Sequence, residues 1–327
     1  MLLAVAAASR GLLGPPTPLQ QALDAAIASG AKSFSLQPSA TYTQGASSLT
    51  ITAANFALFG SNATLIFAPG YGVVVDRSLA TTVQDLTVAY DPPSFTQGTV
   101  VASSPSSFDI RLDAGFPLPN ASFFTSVEFK LQFFDPDTRQ RPRQSACCVV
   151  TVGSGEVSPG VWRATEVPNG CGCPLPQLPS GAAPLATISS RIFSLGYQIP
   201  EGYRGGAWWV FNSSRVTTRN VALLGSGNFA FSEWGGEGGN VYDGVVLARA
   251  PGHLLSSNTD GFHSFATGLG PTVIHSDLGW MGDDIMNIHN RVGLVLSPPL
   301  PGDIVRVVDV GDTPTPVGDP ANPVSGL

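Results

Sequence analysis

A chain of 327 residues with 43% apolar content is long enough to bury a sizeable core, as one large β architecture or two modules. Only 12% of residues are charged, while Gly (37) and Pro (28) are abundant, the profile of a turn-rich, strand-rich protein rather than a disordered one. A net charge of −7 with two lysines, Lys32 and Lys130, argues against a nucleic-acid partner, and no apolar run reaches the roughly 18 residues of a membrane span.

The opening MLLAVAAASRG joins a short apolar stretch to small residues without a basic start, so residues 1–17 read as a remnant secretion signal or as an arbitrary beginning. Leu19, Ala22, Leu23, Ala26 and Ile27 repeat at helical spacing after Pro18 and before Gly30, which predicts one amphipathic helix. Short strands follow: SFSLQ, SLTIT, FALFG, TLIFA, GVVVD and TVQDLTVAY, separated by Gly, Asn, Ser or Pro. Residues 18–94 are therefore expected to hold a helix that caps the open edge of the first strands.

From 95 to 200 the rhythm breaks. The stretch holds FFDPDTRQRPRQ, the Pro-rich PLPQLPSGAAPL and all four cysteines, and is expected to be an inserted β module. Cys147 and Cys148 are expected to bridge to Cys171 and Cys173 with open connectivity; a zinc site is the rival, though CC…CxC lacks the usual CxxC spacing. The cysteines and three N-x-S/T sequons, at Asn62, Asn120 and Asn212, suit a secreted or extracytoplasmic protein.

Residues 201–310 restore the strand pattern with a period. TRNVALLGSGNFAF (218–231) matches YDGVVLARAPGHLL (242–255) at an offset of 24, with Val221 and Leu223 falling on Val245 and Leu247; HSDLGWMGDDIM, from His275, is a weaker echo. A period in the low twenties predicts an all-β right-handed parallel β-helix, a solenoid whose coils bury their apolar faces by stacking; a β-sandwich is the alternative. Residues 311–327 are rich in Pro and Gly and read as a loose tail.

Three of the four histidines, His263, His275 and His289, lie within Ser257–Asn290, and His253 just precedes it. Asp260 precedes Asp283 by 23 residues and Asp284 by 24, so one coil would bring these carboxyls together on adjacent strands about 4.8 Å apart. Like charges held this close disfavour full ionisation, so one carboxyl of such a group can donate a proton while another activates water. Asp and Asn are also frequent at solenoid turns, where they satisfy backbone groups. His263, His289, Asn287 and Asn258 are candidate contacts to sugar hydroxyls, and Trp280 can stack on a sugar face or pack within the fold. Glu233, about one coil before Asp260, is expected to line the same cleft.

At these residues the chain resembles right-handed β-helix glycoside hydrolases. Asn258-Thr259-Asp260-Gly261 and Gly282-Asp283-Asp284 are similar to the NTDG and DD motifs of polygalacturonases, whose GHG and RIK motifs are absent. DGFH (260–263), DDIMNIH (283–289) and YDPPSFTQGTVV (90–101) resemble the α-1,3-galactosidase family over more of the chain. That resemblance implies an inverting exo-hydrolase of terminal α-galactosides, with Asp283 as general acid and Asp260 and Asp284 positioning and deprotonating water. It also implies further coils beyond the end of this chain. An oligosaccharide, polysaccharide or glycoconjugate is the expected partner, with no cofactor and no metal. The alternatives are an inactive carbohydrate-binding or surface β-helix, and a polygalacturonase-like or calcium-dependent lyase enzyme with Arg249 or Arg291 as base.

Overall fold

The computed structural model describes residues 16–124, 128–142, 148–153, 155–167, 182–190, 206–289, 293–295 and 307–309. Helix α1 (Pro18–Ala28) leads into β1 (Ser33–Ser35), β2 (Thr41–Gly45), β3 (Leu49–Ile51), β4 (Ala57–Phe67), β5 (Val73–Asp76) and β6 (Thr82–Tyr90). Next come β7 (Phe95–Ser104), β8 (Ser107–Leu112), β9 (Phe129–Phe134), β10 (Cys148–Val152), β11 (Val161–Glu166) and β12 (Leu185–Ser190). The third group is β13 (Trp208–Phe211), β14 (Thr217–Leu224), β15 (Phe231–Trp234), β16 (Val241–Asp243), β17 (Val246–Leu247), β18 (Phe262–Phe265), β19 (Thr272–Ile274), β20 (Asp277–Leu278) and β21 (Met286–His289). A separate antiparallel pair, β22 (Gly293–Val295) and β23 (Val307–Asp309), completes the all-β fold.

Two parallel sheets are built from alternate strands of the chain. One has the order β1-β4-β6-β14-β16-β19, with β2 beside β4, β17 beside β14 and β20 beside β17; the other runs β3-β5-β13-β15-β18-β21. Every pairing within residues 217–289 is parallel. The offset of 24 is realised: Leu223 pairs Leu247, and Val221 and Val245 are buried beside them. In the second sheet Trp208, Phe231 and Phe262 align in register and are all fully buried, so successive passes stack aromatic rings into one core.

The larger sheet bends along a line of left-handed residues, Asp85 (φ 59°), Asn220 (49°), Gly244 (68°) and His275 (51°). Asn and Asp tolerate this conformation better than most residues with a Cβ, and two of these corner side chains also bond across passes, Asn220 Nδ2 donating to Asp85 Oδ1 at 3.0 Å.

Between β6 and β13 the chain makes a closed antiparallel barrel, β10-β11-β8-β7-β12-β9, with its own core of Val100, Phe108, Ile110, Leu131, Phe133 and Ile188. Strand β9 is buried along its whole length: Phe129, Leu131 and Phe133 face the barrel core, while Lys130 and Gln132 face the parallel sheets. Cys148 is buried in β10; Cys147, Cys171 and Cys173 fall outside the described residues, as do the segments 1–15 and 311–327. The sequon residues Asn62, Asn120 and Asn212 are all exposed. Among the described residues no helix is long and apolar enough to cross a membrane.

Helix α1 covers the edge of β3. Thr17 caps it by accepting from Gln20 N at 3.2 Å, and Leu19 and Leu23 turn inward. Gln20 then completes the strand edge: its Nε2 donates to Thr50 O (2.9 Å) and its Oε1 accepts from Thr50 N (2.7 Å). The side-chain amide thus replaces the peptide of a missing neighbouring strand. Gln20→Ala should lower unfolding free energy by about 1–3 kcal/mol, read from the denaturant midpoint; an unchanged midpoint would show that the helix does not protect this edge.

Candidate functional site

Asp260 lies just before β18 and Asp284 just before β21, and these strands pair in parallel with Phe262 opposite Met286. Gly261 N donates to Asp284 O (2.9 Å), Phe262 N to Ile285 O (3.0 Å) and Gly282 N to Ser257 O (2.9 Å), which stacks the second aspartate turn on the first. One carboxylate oxygen from each of Asp260, Asp283 and Asp284 lies within 4.8 Å of the others. Asp260 is buried, whereas Asp283 and Asp284 are exposed. The stacking is close enough to require Gly282: a Cβ there would collide with the Asn258 carbonyl oxygen.

Two histidines continue from Asp260. Its Oδ2 accepts from His263 Nδ1 at 2.7 Å, and His263 Nε2 lies 3.2 Å from His289 Nε2. With the proton of His263 on Nδ1, His289 Nε2 donates to His263 Nε2, a tautomer assigned from the hydrogen-bond network. Phe229 stacks on His263 with centroids 4.2 Å apart, and Phe265 packs 4.7 Å from His289, so both imidazoles are fixed.

The barrel supplies groups that the sequence pattern does not mark. Lys130, in the buried run FKLQFF, places Nζ 2.8 Å from Gly282 O, 3.2 Å from Asn258 O and 3.3 Å from Asp283 Oδ2. Its shortest bonds go to the main chain, which leaves the exposed Asp283 carboxyl reachable from solvent. Gln132 Nε2 (2.7 Å) and Arg141 Nη1 (2.9 Å) also donate to Gly282 O. Ser189 Oγ, beside Lys130 in register, donates to Asn258 Oδ1.

The remaining candidates divide. Asn258 is buried and joins the barrel to the sheets, its Nδ2 donating to Gly227 O at 3.3 Å, so it is positioned as a joint rather than as a sugar contact. Asn287 stands opposite His263 on the neighbouring strand, half-buried. Trp280 is 41% exposed and lies under the Arg249 guanidinium, 3.7 Å from the ring centroid. Glu233 does not line the cleft. It pairs in register with Ser264, 31 residues on, and points into the stack. There it accepts from Ser264 Oγ (2.7 Å) and Asn240 Nδ2 (2.9 Å), with longer contacts from Tyr242 and Thr267. His275 binds Asp243 at the surface (2.8 Å), and His253 packs edge-on against Phe95.

Three converging carboxyls, an imidazole relay and a buried ammonium can move protons and polarise water; the three oxygens can also ligate a divalent cation. Neither a protein-family model nor a curated protein matches the chain.

Lys130→Met should remove a charge-assisted contact at the aspartate turn and lower any turnover by about 10–100-fold while the barrel stays folded. Activity equal to the parent, with unchanged circular dichroism, would exclude the lysine from the site. Burial pushes the Glu233 carboxyl above its ordinary value, against the pull of its hydrogen bonds. A raised folded value means that its stabilising contribution is full below the unfolded value and is lost as pH rises through the folded one. Glu233→Gln can turn its amide toward the Ser264 and Thr267 hydroxyls, so its melting temperature relative to the parent should rise from about pH 4 to about pH 8; a constant difference would refute this.

Proposed function

We propose that the chain is a glycoside hydrolase built on a right-handed parallel β-helix, acting on terminal α-linked galactose by aspartate acid-base chemistry. The all-parallel pairing, the passes of about 24 residues and the left-handed corner line support the solenoid, since βxβ crossings between parallel strands are right-handed in nearly all proteins. The observation that carries the function is the convergence of Asp260, Asp283 and Asp284 from adjacent passes, within 4.8 Å. The exposure of Asp283 suits a general acid facing a leaving oxygen. Asp260, bonded to His263, and Asp284 suit the activation of water. The motifs DGFH and DDIMNIH, which resemble the α-1,3-galactosidase family, favour galactose. Secretion fits the exposed sequons.

The spacing favours a second outcome. Inverting pairs stand roughly 6.5–9.5 Å apart and retaining pairs roughly 5–5.5 Å, and the closest oxygens here approach more tightly than the first range. Inversion is the proposal because three carboxyls, one of them buried, can hold a water between them. Proton NMR of the first-formed anomer decides: β-galactose from an α-galactoside supports it, and α-galactose replaces it with a covalent route. A lyase would instead form an ultraviolet-absorbing double bond and lose activity with EDTA.

Asp283→Asn should leave binding nearly intact and lower turnover of a natural α-galactoside by about 10²–10⁴-fold, with a smaller loss on an activated aryl galactoside. Asp260→Asn and Asp284→Asn should be impaired on both, because water must still be activated. Equal losses for Asp283→Asn on both substrates would overturn the acid assignment, and three fully active variants would reduce the aspartates to turn residues.

A further inference from the structure

Among the described residues β21 ends its sheet: it is four residues long and pairs on one side only, with β18. Its inward residues Met286 and Ile288 are 41% and 53% exposed, although their register partners Phe262 and Ser264 are buried. Little apolar burial therefore holds this strand, yet Asp283 and Asp284 directly precede it, and its register stacks Asp284 on Asp260. On the outer face of the same strand pair three donor side chains meet. Asn287 stands opposite His263, and His289 follows by two residues, so all three point the same way.

His263 Nε2 and His289 Nε2 are 3.2 Å apart. Two bonds of about 2.0–2.1 Å to one metal ion, meeting near the tetrahedral angle, hold their nitrogens roughly 3.3 Å apart. The two imidazoles thus already stand at the bite of a chelate. His263 is also prepared on its other side, where Nδ1 lies 2.7 Å from Asp260 Oδ2. A carboxylate in that place fixes the tautomer of a ligating histidine, aims its Nε2 lone pair outward and raises its basicity. Phe229 and Phe265 pack against the two rings, so little side-chain freedom remains to be lost on binding.

We infer that His263 and His289, with the half-buried Asn287 beside them, form a site for a transition-metal dication such as zinc, which staples the edge strand β21 to β18. Imidazole nitrogen selects zinc, nickel or copper over the hard ions magnesium and calcium. Asn287 Oδ1 is the third protein donor and water completes the shell. The ion takes the place of the hydrogen bond from His289 to His263; both rings stay neutral, each keeping its proton on Nδ1. Asp260 retains its bond to His263, so the ion adds to the aspartate site instead of replacing it. Its work is to fix the strand that follows Asp283 and Asp284. The site stands whether or not the chain cleaves a glycosidic bond.

The test dialyses the full chain against EDTA, removes the chelator and adds zinc, nickel, magnesium or calcium chloride singly, reading stoichiometry by calorimetry and stability by melting temperature. Zinc should bind at one site that needs both imidazoles and, at about a hundred times its dissociation constant, raise the melting temperature by at least about 3 °C; magnesium and calcium at the same concentration should not. His289→Ala should abolish this zinc effect. Asp260→Asn, which alters only the outer contact to His263, should weaken zinc binding about 10–100-fold. Should the variants fail to fold, X-ray absorption of the zinc-loaded parent chain still decides: a nitrogen and oxygen shell with imidazole scattering is expected. A shell of oxygen alone puts the ion on the three aspartates, a sulfur shell puts it on cysteine, and either overturns the site. It is also overturned by zinc binding that survives His289→Ala unchanged, or by no zinc binding to the parent chain.

Discussion

The main-chain carbonyl of Gly282 accepts from Gln132, Lys130 and Arg141 at 2.7, 2.8 and 2.9 Å, all from the barrel strand β9 and the loop that follows it. A carbonyl oxygen has two lone pairs, so three donors, two of them cationic, saturate it. The residue they grip immediately precedes the aspartate pair. Because the buried Lys130 ammonium must keep its acceptors, the barrel cannot slide without stranding a charge, and the aspartate turn cannot shift without losing its clamp. The position of Asp283 and Asp284 over Asp260 therefore depends on two pieces of structure at once: the parallel register of β18 and β21, and the docking of the barrel.

Docking is made possible by one irregular pass. Strand β15 pairs β18 at an offset of 31 residues, where its neighbours use 23 or 24, and the excess falls between β17 and Asn258. This extra chain is the barrel's counter-surface. Leu254 and Leu255 are buried against Phe95 and Phe134, and Gln97 of the barrel binds both Gly252 O and Leu254 N. His253 packs between Phe95 and Phe116, where burial pushes its imidazole below the ordinary value and keeps it neutral near pH 7. It belongs to the docking surface rather than to the proton relay.

The same irregularity explains what could be read from the sequence and what could not. Helix α1 was legible from its apolar spacing and Pro18, and the 24-residue offset from paired Val and Leu at 221, 223, 245 and 247. The approach of Asp260 and Asp284 followed from that offset. Glu233 did not, because counting one ordinary coil sets it beside Asp260, whereas the longer pass sets it on Ser264. The echo beginning at His275 is also in register, since Leu278 pairs Leu247 and His275 takes the left-handed corner of Asn220 and Gly244, although this pass is 31 residues long. Lys130, Ser189 and Arg141 meet their partners across 69 to 153 residues, and contacts at such separation leave no periodic trace. The one mark they left was composition: one of only two lysines placed within a stretch, FKLQFF, whose other residues are apolar except Gln132. The break in rhythm over 95–200 marked an inserted β module, but not that it closes into an antiparallel barrel, because its strands share no period with the parallel passes.

Exposure gives the three carboxyls different work. Asp260 is buried and accepts from His263, which in turn accepts from His289, so the two hydrogen bonds form a fixed path toward this carboxyl along the outer face of the second sheet. Asp283 and Asp284 stand exposed at the end of that path, where a substrate can reach them without displacing the fold. Phe229 and Phe265 hold the two imidazoles by packing, and Lys130 and Gly282 hold the outer turn by charge and close approach. On the hydrolase reading, nothing in this arrangement needs to reorganise when charge develops at the cleaved bond, and that is the condition under which a set of ordinary aspartates becomes effective.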